Sequence, residues 1–168
     1  IFFNAMPRIM AAVSAAKFVV VGGDADEIKR MRGKLAAAGI EEAVAFPGRM
    51  RSDELAALLT ISDVLVSPRR GGCAVPVKVL DYLYSGSPIV AVDTPANRAI
   101  LTPANALITR PAPDSLAEGV IRLCMNPALG AGLAREGQAT LRRENRCAGA
   151  FKDALRVCYD YVAGNAKL

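Results

Sequence analysis

From Lys17 onward, short and nearly unbroken apolar runs alternate with longer amphipathic stretches, and few folds accommodate that pattern. The runs are Phe18 to Val21, Ala43 to Phe46, Val64 to Ser67, Ile89 to Val92 and Ala106 to Ile108. Each is too short for a helix and lacks the in-and-out alternation of a half-exposed strand. Strands buried on both faces read this way, and strands separated by helices pair in parallel. The expectation is an α/β domain, a Rossmann-like parallel sheet of five strands sandwiched between helices.

The intervening segments carry helix punctuation. Asp24 with Glu27 opens one helix that Gly39 closes, Ser52 opens the next, and Gly86 follows the stretch Val77 to Ser85. After Ile108 the pattern is helical throughout. It starts at the capping box Ser115-x-x-Glu118, passes Asn126-Pro127, and ends in a helix around Ala148 to Val162. Residues 2 to 15 are also helical in pattern, although Pro7 requires the helix to begin or kink there. No linker, repeat or low-complexity tract divides the 168 residues, so one domain is expected.

Composition removes several chemistries. The chain has no histidine, which excludes Ser-His-Asp and Cys-His nucleophilic arrangements and any histidine general base. Its four cysteines, Cys73, Cys124, Cys147 and Cys158, form no CxxC pair, so the common zinc spacings are missing and reduced thiols in a cytoplasmic protein are expected. A net charge of +5 favours anionic partners, while an aromatic content of 5% without tryptophan supplies few stacking platforms for nucleic acid. No apolar run reaches the roughly 18 residues that span a bilayer.

Ligands of open parallel sheets bind outside the carboxyl ends of the strands. The loops at those ends are Gly22-Gly23-Asp24, Pro47-Gly48-Arg49, Pro68 to Pro76, and Asp93-Thr94-Pro95. The third is unusual: Arg69, Arg70, Gly71 and Gly72 lead through Cys73, Ala74, Val75 and Pro76 into a helix bearing Lys78 and Asp81. Glycine amides, a helix amino terminus and three cations make a diphosphate cradle. The plainer alternative is turn chemistry with two solvated arginines, and a carboxylate in the first turns of a helix complements the dipole without any ligand. Gly22-Gly23 is not a GxGxxG fingerprint, so dinucleotide binding has little behind it.

Taken together, the blocks resemble the C-terminal domain of glycosyltransferase family 4, the group 1 glycosyltransferases of the GT-B fold. The likeness runs from residue 1 to about 145. Asn4 to Arg8 is similar to the helix before that domain's second strand, and Phe18 to Gly23 to the strand itself. Ala45-Phe46-Pro47-Gly48-Arg49-Met50 and Ser62-Asp63-Val64-Leu65-Val66-Ser67-Pro68 are similar to the next two blocks. The most specific piece, Pro76 to Ala91, resembles the family pattern P-x-K-x-x-E-Y-x-x-x-G-x-P-V-V.

The resemblance implies roles for particular residues. In the family a Glu that contacts the donor sugar is followed eight positions later by a second Glu that receives the ribose hydroxyls. Asp81 falls on the second position, one methylene shorter, and Cys73 falls on the first, where a thiol is a poor substitute for a carboxylate acceptor. The backbone amides that hold sugar and diphosphate would be those of Ala74, Val75, Lys78 and Val79, beside Gly72. Arg49 and Met50 match the loop beside the nucleotide base, and Gly22 and Gly23, at the end of the strand block, are further candidates for nucleotide binding. The family's first strand and its acceptor-binding N-terminal domain would precede residue 1.

The resulting expectation is the donor half of a retaining glycosyltransferase. It would bind a nucleoside-diphosphate sugar without a bound metal or other cofactor and transfer a hexosyl group to a glycan or lipid-linked acceptor. Nucleic acid is not expected as a partner; association with the inner membrane face is. Two alternatives stand beside it: a degenerate donor domain without transfer activity, motivated by Cys73, and a nucleotide-sugar epimerase of the same architecture, which the lack of histidine disfavours.

Overall fold

In the computed structural model, residues 1 to 71 and 77 to 143 are described, together with Gly149 and Arg156. Helix α1 (Phe2–Ala12) precedes strand β1 (Phe18–Val21), helix α2 (Ala25–Ala37) and strand β2 (Val44–Gly48). Helix α3 (Ser52–Ile61), strand β3 (Leu65–Ser67), helix α4 (Val77–Ser85) and strand β4 (Ile89–Val92) follow. A short helix α5 (Pro95–Arg98), strand β5 (Leu107–Thr109) and helices α6 (Pro113–Met125) and α7 (Pro127–Arg143) complete it.

All strand pairs are parallel, as expected, but they form two sheets rather than one: β1 with β2, and β3-β4-β5. Among the described residues β1 and β3 each bond on one side only. The doubly wound order 3-2-1-4-5-6 has this arrangement on either side of its first strand. The two sheets nevertheless share a core: Phe18 and Val44 cluster with Val90 and Val92, under Met6 and Ile9 of α1 and Leu116 and Val120 of α6. The opposite face of β4, Ile89 and Ala91, packs with Leu59 of α3, Val79 and Leu83 of α4, and Leu141 of α7. Strand β4 is therefore buried on both faces, which its unbroken apolar run requires.

Local chemistry explains most boundaries. The Asp24 side chain accepts from the Glu27 amide at 2.8 Å while the Glu27 carboxylate accepts from the Asp24 amide at 3.2 Å, a reciprocal capping box. At the other end of α2, Gly39 takes φ +68°, and the Ile40 and Gly39 amides donate to Leu35 and Ala36. These bonds close the helix in a Schellman turn. Helix α3 begins at Ser52 as expected, with the Glu54 carboxylate receiving the Arg51 amide at 3.1 Å. Pro7 lies inside α1, whose Ala5, Met6 and Ile9 are fully buried, so burial of the apolar stripe outweighs the one amide that Pro7 lacks.

Several expected boundaries move. Ala43 belongs to a 3-10 turn, and β2 runs on to Gly48 with a bulge opposite β1 at Phe46 and Pro47, where proline has no amide for the ladder. Strand β5 lies one residue later than expected, because Ala106 donates to Thr102 in the preceding turn. The box Ser115-x-x-Glu118 does not open α6. That helix starts at Pro113, Ser115 Oγ accepts from the Arg110 amide at 3.2 Å, and Glu118 pairs with Arg8 at 2.8 Å. Proline at the first helical position already lacks an amide, so it starts the helix two residues before the serine. Of the expected helix around Ala148 to Val162, only Gly149 and Arg156 are described, both helical, and Cys147 and Cys158 lie outside the described residues.

Candidate functional site

Strands of one direction carry their following loops to one end. There β1 turns at Gly22 and Gly23, with φ of +95° and +83°, and the Gly22 amide donates to the Gly48 carbonyl at 2.7 Å. That bond joins the ends of β1 and β2. A Cβ on Gly22 would meet nothing within 4 Å, so the glycine serves its backbone conformation and leaves open space. Arg49 and Met50 leave the end of β2, the first exposed and the second half-buried.

Strand β3 ends at Ser67, Pro68 follows, and Arg69 donates from Nε to the Gly71 carbonyl at 2.7 Å. Gly72, Cys73, Ala74 and Val75 lie outside the described residues. Helix α4 is described from Val77 to Ser85 and carries Lys78 and Val79 on its first described turn. The Val79 side chain is fully buried in the core and locks that turn onto the sheet. Lys78 is exposed yet crowded: loss of hydration first, and the charge of Arg69 second, pull its ammonium below the ordinary lysine pKa. Two further arginines at this end are engaged, Arg98 with Asp93 at 2.8 Å and 3.0 Å and Arg51 with Asp53. No ion pair of Arg69 or Lys78 is found among the described residues. The charge of Arg69 reaches Lys78, and two such neighbouring cations favour an anion.

Asp81, the fifth residue of α4, opens elsewhere. With Tyr84 and Ser85 it lines a cleft of about 370 Å³ whose other wall is α3, including Ser52, Leu55 and Thr60. Ser52 follows directly on Arg49, Met50 and Arg51, so this cleft runs from the loop after β2 to the carboxylate on α4. The structure thus groups the expected residues into a cationic end at Arg69 and Lys78 and a cleft holding Asp81.

A buried polar network escaped the sequence reading. Ser67 Oγ donates to Asn97 Oδ1 at 3.1 Å, Asn97 Nδ2 donates to the Val92 carbonyl at 2.7 Å, and the Asn97 amide donates to Thr94 Oγ1 at 3.2 Å. The one available signal was Thr94-Pro95, a capping residue followed by proline at the first helical position, which marks α5. Among the described residues no helix is long and apolar enough to cross a membrane.

Comparison with known proteins supplies independent findings. The family model for glycosyl transferases group 1 matches residues 1–126. A phosphatidyl-myo-inositol mannosyltransferase of Mycobacterium tuberculosis is 27% identical over 98% of this chain and 44% of its own length. The chain therefore spans less than half of that relative. Among solved structures, a sucrose-phosphate synthase from Thermosynechococcus elongatus superposes with a TM-score of 0.74 at 19% identity, over 96% of this chain and 42% of that one. The C-terminal domain of a group 1 glycosyl transferase from Francisella tularensis also gives 0.74 at 19% identity, over 84% and 75%. Anabaena HepE in complex with UDP gives 0.73 at 21% identity, over 84% and 40%. These likenesses establish the GT-B C-terminal fold.

Proposed function

Since the chain belongs to the group 1 glycosyl transferases, we propose that it is the donor half of a retaining hexosyltransferase and holds a nucleoside-diphosphate sugar at the carboxyl ends of its strands. The observation that carries this reading is the pair of neighbouring cations, Arg69 and Lys78, at the carboxyl end of β3 and on α4. Loss of hydration and then the charge of Arg69 lower the Lys78 pKa, and an anion placed between the two cations relieves that repulsion. A diphosphate there would put its nucleoside toward the cleft of Asp81, with the ribose hydroxyls on the Asp81 carboxylate and the base beside Arg49 and Met50. Charge on the departing diphosphate would be stabilised by amides and basic side chains rather than by a metal ion. That HepE, of the same fold, was solved in complex with UDP supports a nucleotide ligand.

The acceptor, a glycan or a lipid-linked sugar, would be supplied by a second domain, in line with the greater length of the mycobacterial relatives, and that domain would bring the protein to a membrane surface. Cys73, at the position where the family has Glu, favours a second reading, in which the domain binds nucleotide sugar without transferring it.

A two-domain protein carrying this chain, supplied with nucleoside-diphosphate sugars and read by NMR of the product anomer, tests the proposal. Transfer with the donor's anomeric configuration kept is expected, and none from the 168-residue chain alone. Inversion, or turnover by the chain alone, overturns it, while nucleotide binding without transfer selects the second reading.

A further inference from the structure

We infer that Asn97 is a positioning residue that releases the loop after β3 from the sheet and so presents Arg69 to the bound anion, an inference that rests on the donor-end reading above. The Leu65 amide donates to the Pro88 carbonyl at 2.9 Å, and Leu65 and Ser67 lie opposite Ile89 and Ala91. A parallel ladder advances two residues per rung, so the next donors would be Ser67 to Val90 and then Arg69 to Val92. That last rung is not made. The Val92 carbonyl is taken at 2.7 Å by Asn97 Nδ2, and no backbone bond from the Arg69 amide is found among the described residues.

The asparagine can act in this way because its other bonds fix it. It is 1% exposed, its Oδ1 accepts from Ser67 Oγ, and its own amide donates to Thr94 Oγ1. A carbonyl can only accept, so the nitrogen of the side-chain amide must face Val92, and the hydroxyl of Ser67 completes the ring. Ser67 is the last residue of β3, so the same side chain fixes the point at which the chain leaves the sheet. Without Asn97 the Val92 carbonyl would be an orphaned acceptor in the core, and the nearest donor in register is the Arg69 amide. Pairing there would lengthen β3 by one rung and draw Arg69 away from Lys78.

Amide exchange followed by NMR, with UDP as the probe ligand, tests this on the whole chain. In the parent the Arg69 amide exchanges freely. In Asn97→Ala it becomes protected, and UDP affinity falls about fivefold or more while the core amides of β4 stay protected. Asn97→Leu, which preserves side-chain shape and leaves no cavity, reports the same change if the alanine variant does not fold. An unprotected Arg69 amide in a folded variant overturns the inference, as does unchanged UDP affinity. A parent that binds no UDP defeats the donor-end reading instead, and the exchange measurement still decides what Asn97 does to the ladder.

Discussion

Gly137 of α7 packs so closely on Leu83 of α4 that a Cβ at position 137 would lie 2.7 Å from Leu83 Cδ2. Leu83 is 2% exposed and sits in the cluster under β4, so it has little room to yield. The contact fixes the depth of α4, the helix that carries Lys78 and Asp81.

Three glycine-to-alanine variants should therefore differ in sign. Gly137→Ala should destabilise by about 1–3 kcal/mol, the usual cost of overpacking. Gly119→Ala should cost at least as much, because its Cβ would meet Thr109 Cγ2 at 2.8 Å, Val90 Cγ1 at 2.9 Å and Leu107 Cδ2 at 3.1 Å. Gly33 in α2 has nothing within 4 Å, so Gly33→Ala should stabilise by about 0.5–1 kcal/mol through helix propensity alone. Urea melts of the three variants check the order.

Lys78 should hold function at the expense of stability. Its pKa lies below the ordinary lysine value in the folded state, so the unfolded chain binds more protons through that window. The penalty is fully present at neutral pH and fades as pH rises from the folded pKa to the unfolded one. Lys78→Met should thus match or exceed the parent's stability at neutral pH, with any gain shrinking in alkali. Denaturant melts at neutral and alkaline pH would show the trend, and a variant less stable at neutral pH than in alkali relative to the parent would contradict it.

The Asp93 carboxylate should titrate low. Its hydrogen bonds from Arg98 come first among the causes that hold its pKa below the ordinary aspartate value. Its contribution to stability is present above that ordinary value and is lost as pH falls through the lowered one. Carboxyl NMR titration should find Asp93 returning toward the usual range in Arg98→Gln. Both groups are surface-exposed, so little change in melting is expected.

These relationships were unequally legible in the sequence. Strand β4 and the cap at Asp24 could be read directly, because unbroken burial and a reciprocal side-chain cap are local patterns. Ser115 misled, since a serine three residues before a glutamate can equally bond outside its own helix, and here Glu118 answers Arg8 more than one hundred residues away. The loops that carry the site could be located from strand ends. The division of the site into a cationic end and an Asp81 cleft could not, because that depends on how α3 packs beside α4. Asn97 was invisible for the same reason: its partners Ser67 and Val92 belong to two different strands.

Asp81→Asn separates ribose recognition from a dipole role. If Asp81 accepts both ribose hydroxyls, the change should cost about 1.5–3 kcal/mol of nucleotide affinity, roughly ten- to a hundredfold. A 2′,3′-dideoxy nucleotide should show no such loss. Cys73→Ala should leave affinity for the bare nucleoside diphosphate unchanged. Equal loss with both nucleotides would remove the ribose assignment.

Calorimetric titration of UDP and GDP into the chain, beside Arg69→Met and Lys78→Met, tests the donor-binding claim most directly. The account predicts that one of the two nucleotides binds the parent, that a chelator leaves this unchanged, and that each substitution weakens it about tenfold or more. No binding by the parent, or variants that bind as tightly as it does, would contradict the placement of the diphosphate between Arg69 and Lys78.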